Sequence, residues 1–140
     1  MATVEYADGD EASPFAQMLG GLIKANVEGR AEKRRDFENL DTRVGIRVQD
    51  IGESVTLDFH GGKLVVHNGL QPKRAITITS DSDTVMQLSL LRIGPLGLPV
   101  YVDSNGREVV RKLLTGRLKI DGMLSNIFSL NAVTRLFSVQ

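Results

Sequence analysis

The chain has 140 residues, with 17 basic and 17 acidic side chains and neither cysteine nor tryptophan. A chain of this length fits one domain and buries roughly 70% of the surface of its unfolded form, so it needs no disulfide or metal for stability. The balanced charge and the aromatic content of 5% exclude nucleic acid as a main partner, because they supply neither a strongly basic surface nor a stacking platform.

Residues 1–12 are acidic and carry no hydrophobic pattern. We expect this N-terminus to be flexible and residues 13–140 to form a single domain. The segment lacks the basic and apolar stretches of a secretory signal, and the chain lacks cysteine, so we expect a cytoplasmic protein. No apolar run approaches the ~18 residues of a membrane span, which predicts no stable membrane insertion.

Ser13 and Pro14 predict the start of a helix, because a hydroxyl cap precedes a proline at the first helical position. Apolar residues then repeat at helical spacing: Phe15, Met18, Leu19, Leu22, Ile23 and Val27. The charged residues at 30–36 are typical of a solvated last turn of this helix.

Beyond residue 42 the hydrophobic period changes from helical to two, which predicts β-strands. We expect four consecutive strands in a meander, with helices on one side, at residues 43–48, 55–60, 63–68 and 75–79. Gly61-Gly62 predicts a two-residue hairpin turn that sets Phe59 opposite Leu64 and Leu57 opposite Val66. These apolar side chains then share one face of the sheet.

The opposite face is mostly polar and carries Thr56, Asp58, His60, Lys63, Val65 and His67. The two histidines and Asp58 suggest metal binding or acid–base chemistry. The register separates the imidazole rings by about four residues, ~13 Å along the ladder, which is too far for shared ligation. We therefore predict no metal site, and an enzyme would require His60 or His67 to line the main pocket, against this register.

Two further helices follow the strands. The N-capping side chains of residues 80–83 precede a helix that carries Val85, Met86, Leu88, Leu90, Leu91 and Ile93. Residues 94–99 then form an apolar loop of two glycines, two prolines and two leucines, which indicates either a portal or contact loop or a loop folded over the core. A third helix carries Val109, Val110, Leu113 and Leu114.

Residues 113–122 predict a helix that ends at Gly116 and a short strand with Leu118 and Ile120 on one face. The final helix has two apolar sides. One carries Met123, Ile127, Leu130, Val133 and Phe137, and the other carries Leu124, Phe128, Ala132, Leu136 and Val139. One side packs in the core, while the second requires another helix, a ligand or a neighbouring subunit.

The segment Leu114-Thr115-Gly116-Arg117-Leu118-Lys119-Ile120-Asp121-Gly122 resembles the Gly-Lys-Leu-Lys-Ile-x-Gly signature of the sterol carrier protein type-two family, with Arg117 where lysine is common. The strand that leads into Ser80-Asp81-Ser82-Asp83 resembles that family as well. The resemblance implies an α/β sandwich in which helices cover one face of a five-stranded, mainly antiparallel sheet, with an apolar cavity between the layers. Such domains bind lipids without chemical conversion.

The resemblance therefore implies non-enzymatic binding and shielding of a fatty acyl, sterol or prenyl-type ligand, without a cofactor. The residues expected to line the cavity are Leu88, Leu91, Ile93, Leu96, Leu98, Leu124, Ile127 and Phe128, with Tyr101 or Arg92 beside a polar head group. One alternative is an accessory or scaffold protein of lipid or isoprenoid-quinone metabolism that acts through protein contacts, a homodimer included. An enzyme is the other alternative, although the sequence contains no nucleophile or cofactor motif.

Overall fold

The computed structural model describes residues 3–89 and 104–138, apart from the side chain of Leu88. The strands are β1 (Thr3–Tyr6), β2 (Asp41–Val48), β3 (Glu53–His60), β4 (Lys63–Asn68), β5 (Ile76–Ser80) and β6 (Lys119–Asp121). The helices are α1 (Pro14–Gly29), α2 (Ala31–Asn39), α3 (Ser82–Ser89), α4 (Ser104–Leu114) and α5 (Ile127–Phe137), and a 3-10 turn at Leu124–Asn126 precedes α5.

The strands form one mixed sheet of the order β1-β4-β3-β2-β5-β6. The pairs β2–β3, β3–β4 and β5–β6 are antiparallel, whereas β1–β4 and β2–β5 are parallel. The α/β class is confirmed, but the prediction of five mainly antiparallel strands is wrong. The four-strand meander is wrong as well, because β5 pairs with β2 on the far side of the hairpin and not with β4.

The N-terminal strand β1 pairs with β4 and forms one edge of the sheet. The sequence predicts no strand before Ser13, but β1 runs parallel to β4 and sets Val4 opposite Leu64. The Tyr6 ring lies against α1 at Gly20, where a Cβ atom would come within 2.5 Å of the Tyr6 hydroxyl oxygen. The alternation of polar and apolar residues in β1 extends over only four residues, which is too short to distinguish a strand from an irregular segment.

The hairpin register is confirmed: Phe59 lies opposite Leu64 and Leu57 lies opposite Val66. All four side chains are fully buried. The helices add Leu19, Ile23, Val27 and Phe37 to this core, and the Phe37 and Phe59 rings meet edge to face at 6.2 Å.

The start of α1 is confirmed as well, because the Ser13 side chain accepts a hydrogen bond of 3.0 Å from the Ala16 backbone N–H. A cap of this kind contributes about 1 kcal/mol. The charged residues after Gly29 do not form a last turn of α1. They form the separate helix α2, in which Phe37 and Lys33 are buried.

Polar side chains of α1 and α2 hold the C-terminal end of α5. The Asn26 side-chain amide donates to the Leu136 and Phe137 carbonyl oxygens at 2.8 and 3.2 Å, and the Lys33 ammonium donates to the Ser138 carbonyl. The Arg135 guanidinium donates to both Asp36 carboxylate oxygens at 2.8 and 2.9 Å. The Asn26 and Lys33 contacts satisfy backbone carbonyls at the C-terminal end of α5, and the ion pair of Arg135 with Asp36 adds a link between the side chains of α5 and α2.

The segment between β4 and β5 crosses the polar face of the sheet to reach β2. Thr56 anchors it, since its hydroxyl donates to the Gly69 carbonyl at 2.9 Å and accepts from the Gln71 backbone N–H at 2.8 Å. Gly45 gives it room, because a Cβ atom there would lie 2.5 Å from Cδ of Arg74. The crossing segment, residues 69–75, therefore lies directly on β2 and β3.

Candidate functional site

The structure places three of the nine predicted ligand-binding residues. Leu124, Ile127 and Phe128 are 88%, 41% and 86% exposed. The side chain of Leu88 and the residues Leu91, Ile93, Leu96, Leu98 and Tyr101 lie outside the described residues, as does the apolar loop at 94–99. A cavity lined by this set therefore stays a prediction.

The sequence predicts that burial differs between the two sides of the final helix. In the structure burial differs between its two ends. Leu130 and Val133 from one predicted side and Ala132 and Leu136 from the other are all buried in the C-terminal half. The N-terminal end, with Leu124 and Phe128, is exposed. The reason is that the polar side chains of α1 and α2 hold the C-terminal end of α5.

A small apolar pocket lies between the sheet and the helices. It is lined by Ile46 and Ile78 of the sheet, Val85 of α3 and Phe137 of α5, and its volume is about 10 Å³. Small-molecule sites occupy about 300–1,000 Å³. At this position the layers are packed together, so an alkyl chain requires the helices to move apart.

A much larger pocket, of about 550 Å³, opens on the polar face. Its lining residues are Asp41, Thr42, Arg43, Asp58, His60, Pro72, Lys73 and Ala75. The register of β2 and β3 sets Asp41 opposite His60 and Arg43 opposite Asp58, which brings these charged residues together. The crossing segment supplies the remaining wall. We call this cavity the open-face pocket.

Asp58 is the centre of the polar cluster, and its side chain is only 6% exposed. Oδ2 lies 3.2 Å from Nε of Arg43 and 3.7 Å from Nε2 of His67, and Oδ1 lies 2.8 Å from Nε2 of His60. Nδ1 of His60 in turn lies 3.6 Å from Asp41. The sequence predicts that the two histidine rings are too far apart to ligate one metal ion. In the structure each ring lies near a different oxygen of Asp58.

The cluster does not have the geometry of a metal centre. Among residues 3–89 and 104–138, no group of three or more histidine, cysteine or acidic side chains is arranged to hold an ion. Each ring nitrogen of His60 lies near a carboxylate, that of Asp58 on the same strand and that of Asp41 on β2.

From the sequence, we expect a histidine to line the main pocket only if the two faces of the sheet are exchanged. The faces are as predicted, since Asp58 and His60 alternate with the buried Phe59 along β3. His60 lines a pocket because the crossing segment builds a wall on the polar face.

No helix in the described part of the chain is long and apolar enough to cross a membrane.

Neither a protein-family model nor a curated protein matches the sequence. Solved structures do match. A ubiquinone synthesis protein, UbiJ-SCP2, has a TM-score of 0.60 at 14% identity, over 87% of this chain and 90% of that chain. A crystal structure of sterol carrier protein 2 has a TM-score of 0.50 at 14% identity, over 84% and 91% of the two chains.

A third match, a conserved hypothetical protein of Thermus thermophilus, has a TM-score of 0.51 at 10% identity and covers 98% of this chain and 91% of that one. The likeness at these identities concerns architecture, and in all three cases it extends over most of both chains. The chain, with its mixed six-stranded sheet and layer of helices, therefore has the fold of sterol carrier protein 2.

Proposed function

We propose that this protein is a non-enzymatic lipid-binding module that shields an apolar ligand of the fatty acyl, sterol or prenyl type between its sheet and its helices. The proposal includes a cytoplasmic location and requires neither a catalytic step nor a cofactor. The observation that carries it is the exposure of Leu124, Ile127 and Phe128 at one end of a helix whose other end is buried in the core.

Burial of these exposed side chains by a ligand would contribute a large favourable free energy. Full burial of a leucine or phenylalanine side chain contributes about 1.5–3 kcal/mol, and an alkyl ligand gains ~0.8 kcal/mol for each CH₂ that leaves water. A cluster of large apolar side chains on a protein surface marks a place where apolar surface is to be covered. The SCP2-like fold supports a lipid as the covering molecule.

The contacts of α5 also support a route for the ligand. Polar side chains of α1 and α2 tie its C-terminal end, so this end stays in place. The turn before α5 is held more lightly, by the Asn126 side-chain amide, which donates to the Ala75 carbonyl at 3.2 Å. Movement of the N-terminal end away from Ala75 would open space beside the sheet for an alkyl chain, whereas the small pocket at Phe137 lies at the tied end.

Native mass spectrometry of the purified protein, combined with lipid extraction, tests this function. We expect an adduct of lipid mass, or saturable binding to at least one member of a panel of fatty acids, sterols and prenyl quinones. The double variant Leu124→Gln, Phe128→Gln should reduce binding by about tenfold or more. The control Met18→Gln, which removes a 52% exposed apolar side chain on α1, should leave binding unchanged. Ligand-free spectra and no binding across the panel would contradict the proposal.

The second candidate is an accessory or scaffold role in lipid or isoprenoid-quinone metabolism. The likeness to a ubiquinone synthesis protein supports it, and so does the pocket of about 10 Å³ if that pocket never opens. In this role Leu124 and Phe128 are covered by a partner or by a second copy of the chain. Size-exclusion chromatography at several concentrations separates the cases. A stable dimer without ligand, which the double glutamine variant converts to a monomer, would favour the scaffold.

A further inference from the structure

The open-face pocket lies on the side of the sheet that the proposed lipid does not use. Its volume of about 550 Å³ is within the range of small-molecule sites, and charged residues of β2, β3 and the crossing segment line it. We propose that it is a second binding site, for a zwitterionic group in which a short linker joins a primary ammonium to a phosphate.

The floor of the pocket offers a buried acceptor. A carboxylate removed from water is costly unless its lone pairs are satisfied. Asp58 Oδ2 accepts from Arg43, but no hydrogen bond with acceptable geometry reaches Oδ1, although Nε2 of His60 lies only 2.8 Å from it. Oδ1 is itself buried, with the His60 ring against it, and the His60 side chain is 55% exposed. A ligand that displaces this ring and brings N–H donors would complete the acceptor.

The wall of the pocket offers a cation. Lys73 projects from the crossing segment with a backbone φ of +63°, a left-handed conformation that is uncommon for a lysine. Strained backbone of this kind tends to occur at binding sites. No carboxylate of the described residues pairs with Lys73, whereas Arg43 is held by Asp58 and by the Pro72 carbonyl oxygen. Lys73 is therefore the side chain of the wall that is left to meet an anion.

The mixed charge of the lining favours a ligand that carries both charges. A simple anion would meet the carboxylates of Asp41 and Asp58 in this lining, and a simple cation would meet Arg43 and Lys73. A zwitterion satisfies both ends, with its ammonium on Asp58 and its phosphate on Lys73. A primary ammonium donates hydrogen bonds to Oδ1, whereas a quaternary ammonium has no N–H to donate.

Titration calorimetry with two water-soluble probes tests the assignment. We expect glycerophosphoethanolamine to bind and glycerophosphocholine to bind about tenfold more weakly or not at all, because a hydrogen bond to a charged group is lost. Equal binding of both probes, or no binding of either at millimolar concentration, would overturn the proposal.

Two substitutions locate the binding. Lys73→Ala and Asp58→Asn should each weaken glycerophosphoethanolamine binding by about tenfold, whereas the exposed controls Lys24→Ala and Asp83→Asn should not change it. Because Asp58 also pairs with Arg43, thermal unfolding of Asp58→Asn should be checked first. If that variant does not fold, Lys73→Ala decides alone, since its side chain has no structural partner to lose among the described residues. Unchanged affinity in Lys73→Ala would overturn the site.

Vesicles distinguish the two sources of this chemical group. Co-sedimentation with vesicles of phosphatidylcholine and phosphatidylethanolamine, but not with phosphatidylcholine alone, would identify a lipid head group as the ligand. Binding of free glycerophosphoethanolamine without co-sedimentation would identify a soluble ligand of the same chemistry. The lipid adduct of the proposed function is read separately, by mass spectrometry of wild-type protein and of Lys73→Ala, so the two proposals can fail independently.

Discussion

The two faces of the sheet are built from alternate residues of the same strands, yet the pockets that the described residues line on them differ in size. Phe59 points into the packed layer, where the pocket beside Phe137 has a volume of about 10 Å³. Asp58, its neighbour in the chain, lines a pocket of about 550 Å³. Among residues 3–89 and 104–138, helices close the apolar face, whereas the crossing segment covers part of the polar face. Hydrophobic patterning therefore indicates where the core lies, but a pocket depends on what crosses the surface.

The largest expected effect is a loss of stability from a substitution on the apolar face of the sheet. Phe59→Ala removes a fully buried ring that meets Phe37 edge to face, and it should lower the free energy of unfolding by about 3–5 kcal/mol. Phe128→Ala is the matched control, because that ring is 86% exposed, and it should change stability by less than about 0.5 kcal/mol. Urea denaturation of both variants checks this. A large loss in Phe128→Ala would mean that the N-terminal end of α5 is covered.

A smaller effect is expected on the polar face. Thr56→Val removes the hydroxyl that bonds both Gly69 and Gln71, and it should cost about 1–3 kcal/mol because partly buried backbone groups lose their partner. Hydrogen exchange at the Gln71 amide should accelerate, since the crossing segment loses its anchor.

Thr79→Val is the control for that substitution, because the described structure shows no side-chain hydrogen bond at Thr79. It should leave exchange at Gln71 unchanged. If Thr56→Val alters neither stability nor exchange, the crossing segment is not held by Thr56, and the wall of the open-face pocket has another support.

The smallest effect concerns a charge buried on the helical side. Burial lowers the pKa of Lys33 below its usual value of 10.5. Between the lowered folded-state pKa and 10.5 the unfolded chain binds more protons, so the Lys33 contribution to stability should increase with pH in this alkaline range. Below the folded-state pKa the unfavourable contribution of the charge is constant.

Denaturation of wild type and Lys33→Met at several pH values up to about 10.5 isolates this contribution. The stability of the wild type relative to the variant should rise as the pH approaches that value. A relative stability that falls with pH would contradict the direction of the shift. It would indicate that the Ser138 carbonyl stabilises the charged ammonium more than burial opposes it.

The sequence by itself determined the local features of this protein. Ser13 with Pro14 predicted the start of α1, and the Gly61-Gly62 turn together with a period of two predicted the register of β3 and β4. The short strand after Gly116 was also predicted, and it is β6 (Lys119–Asp121), directly preceded by the buried Leu118. These features depend on residues within one or two turns of each other, where sterics and hydrogen bonding leave few alternatives.

Tertiary structure alone decided which distant segments meet. The pairing of β5 with β2 and the addition of β1 to the sheet each join residues that no local pattern links. The burial of one end of α5 depends in the same way on side chains of α1 and α2 that lie about a hundred positions earlier. Such contacts are chosen by the total burial of apolar surface over the chain, which is why they emerge only when all the elements are packed together.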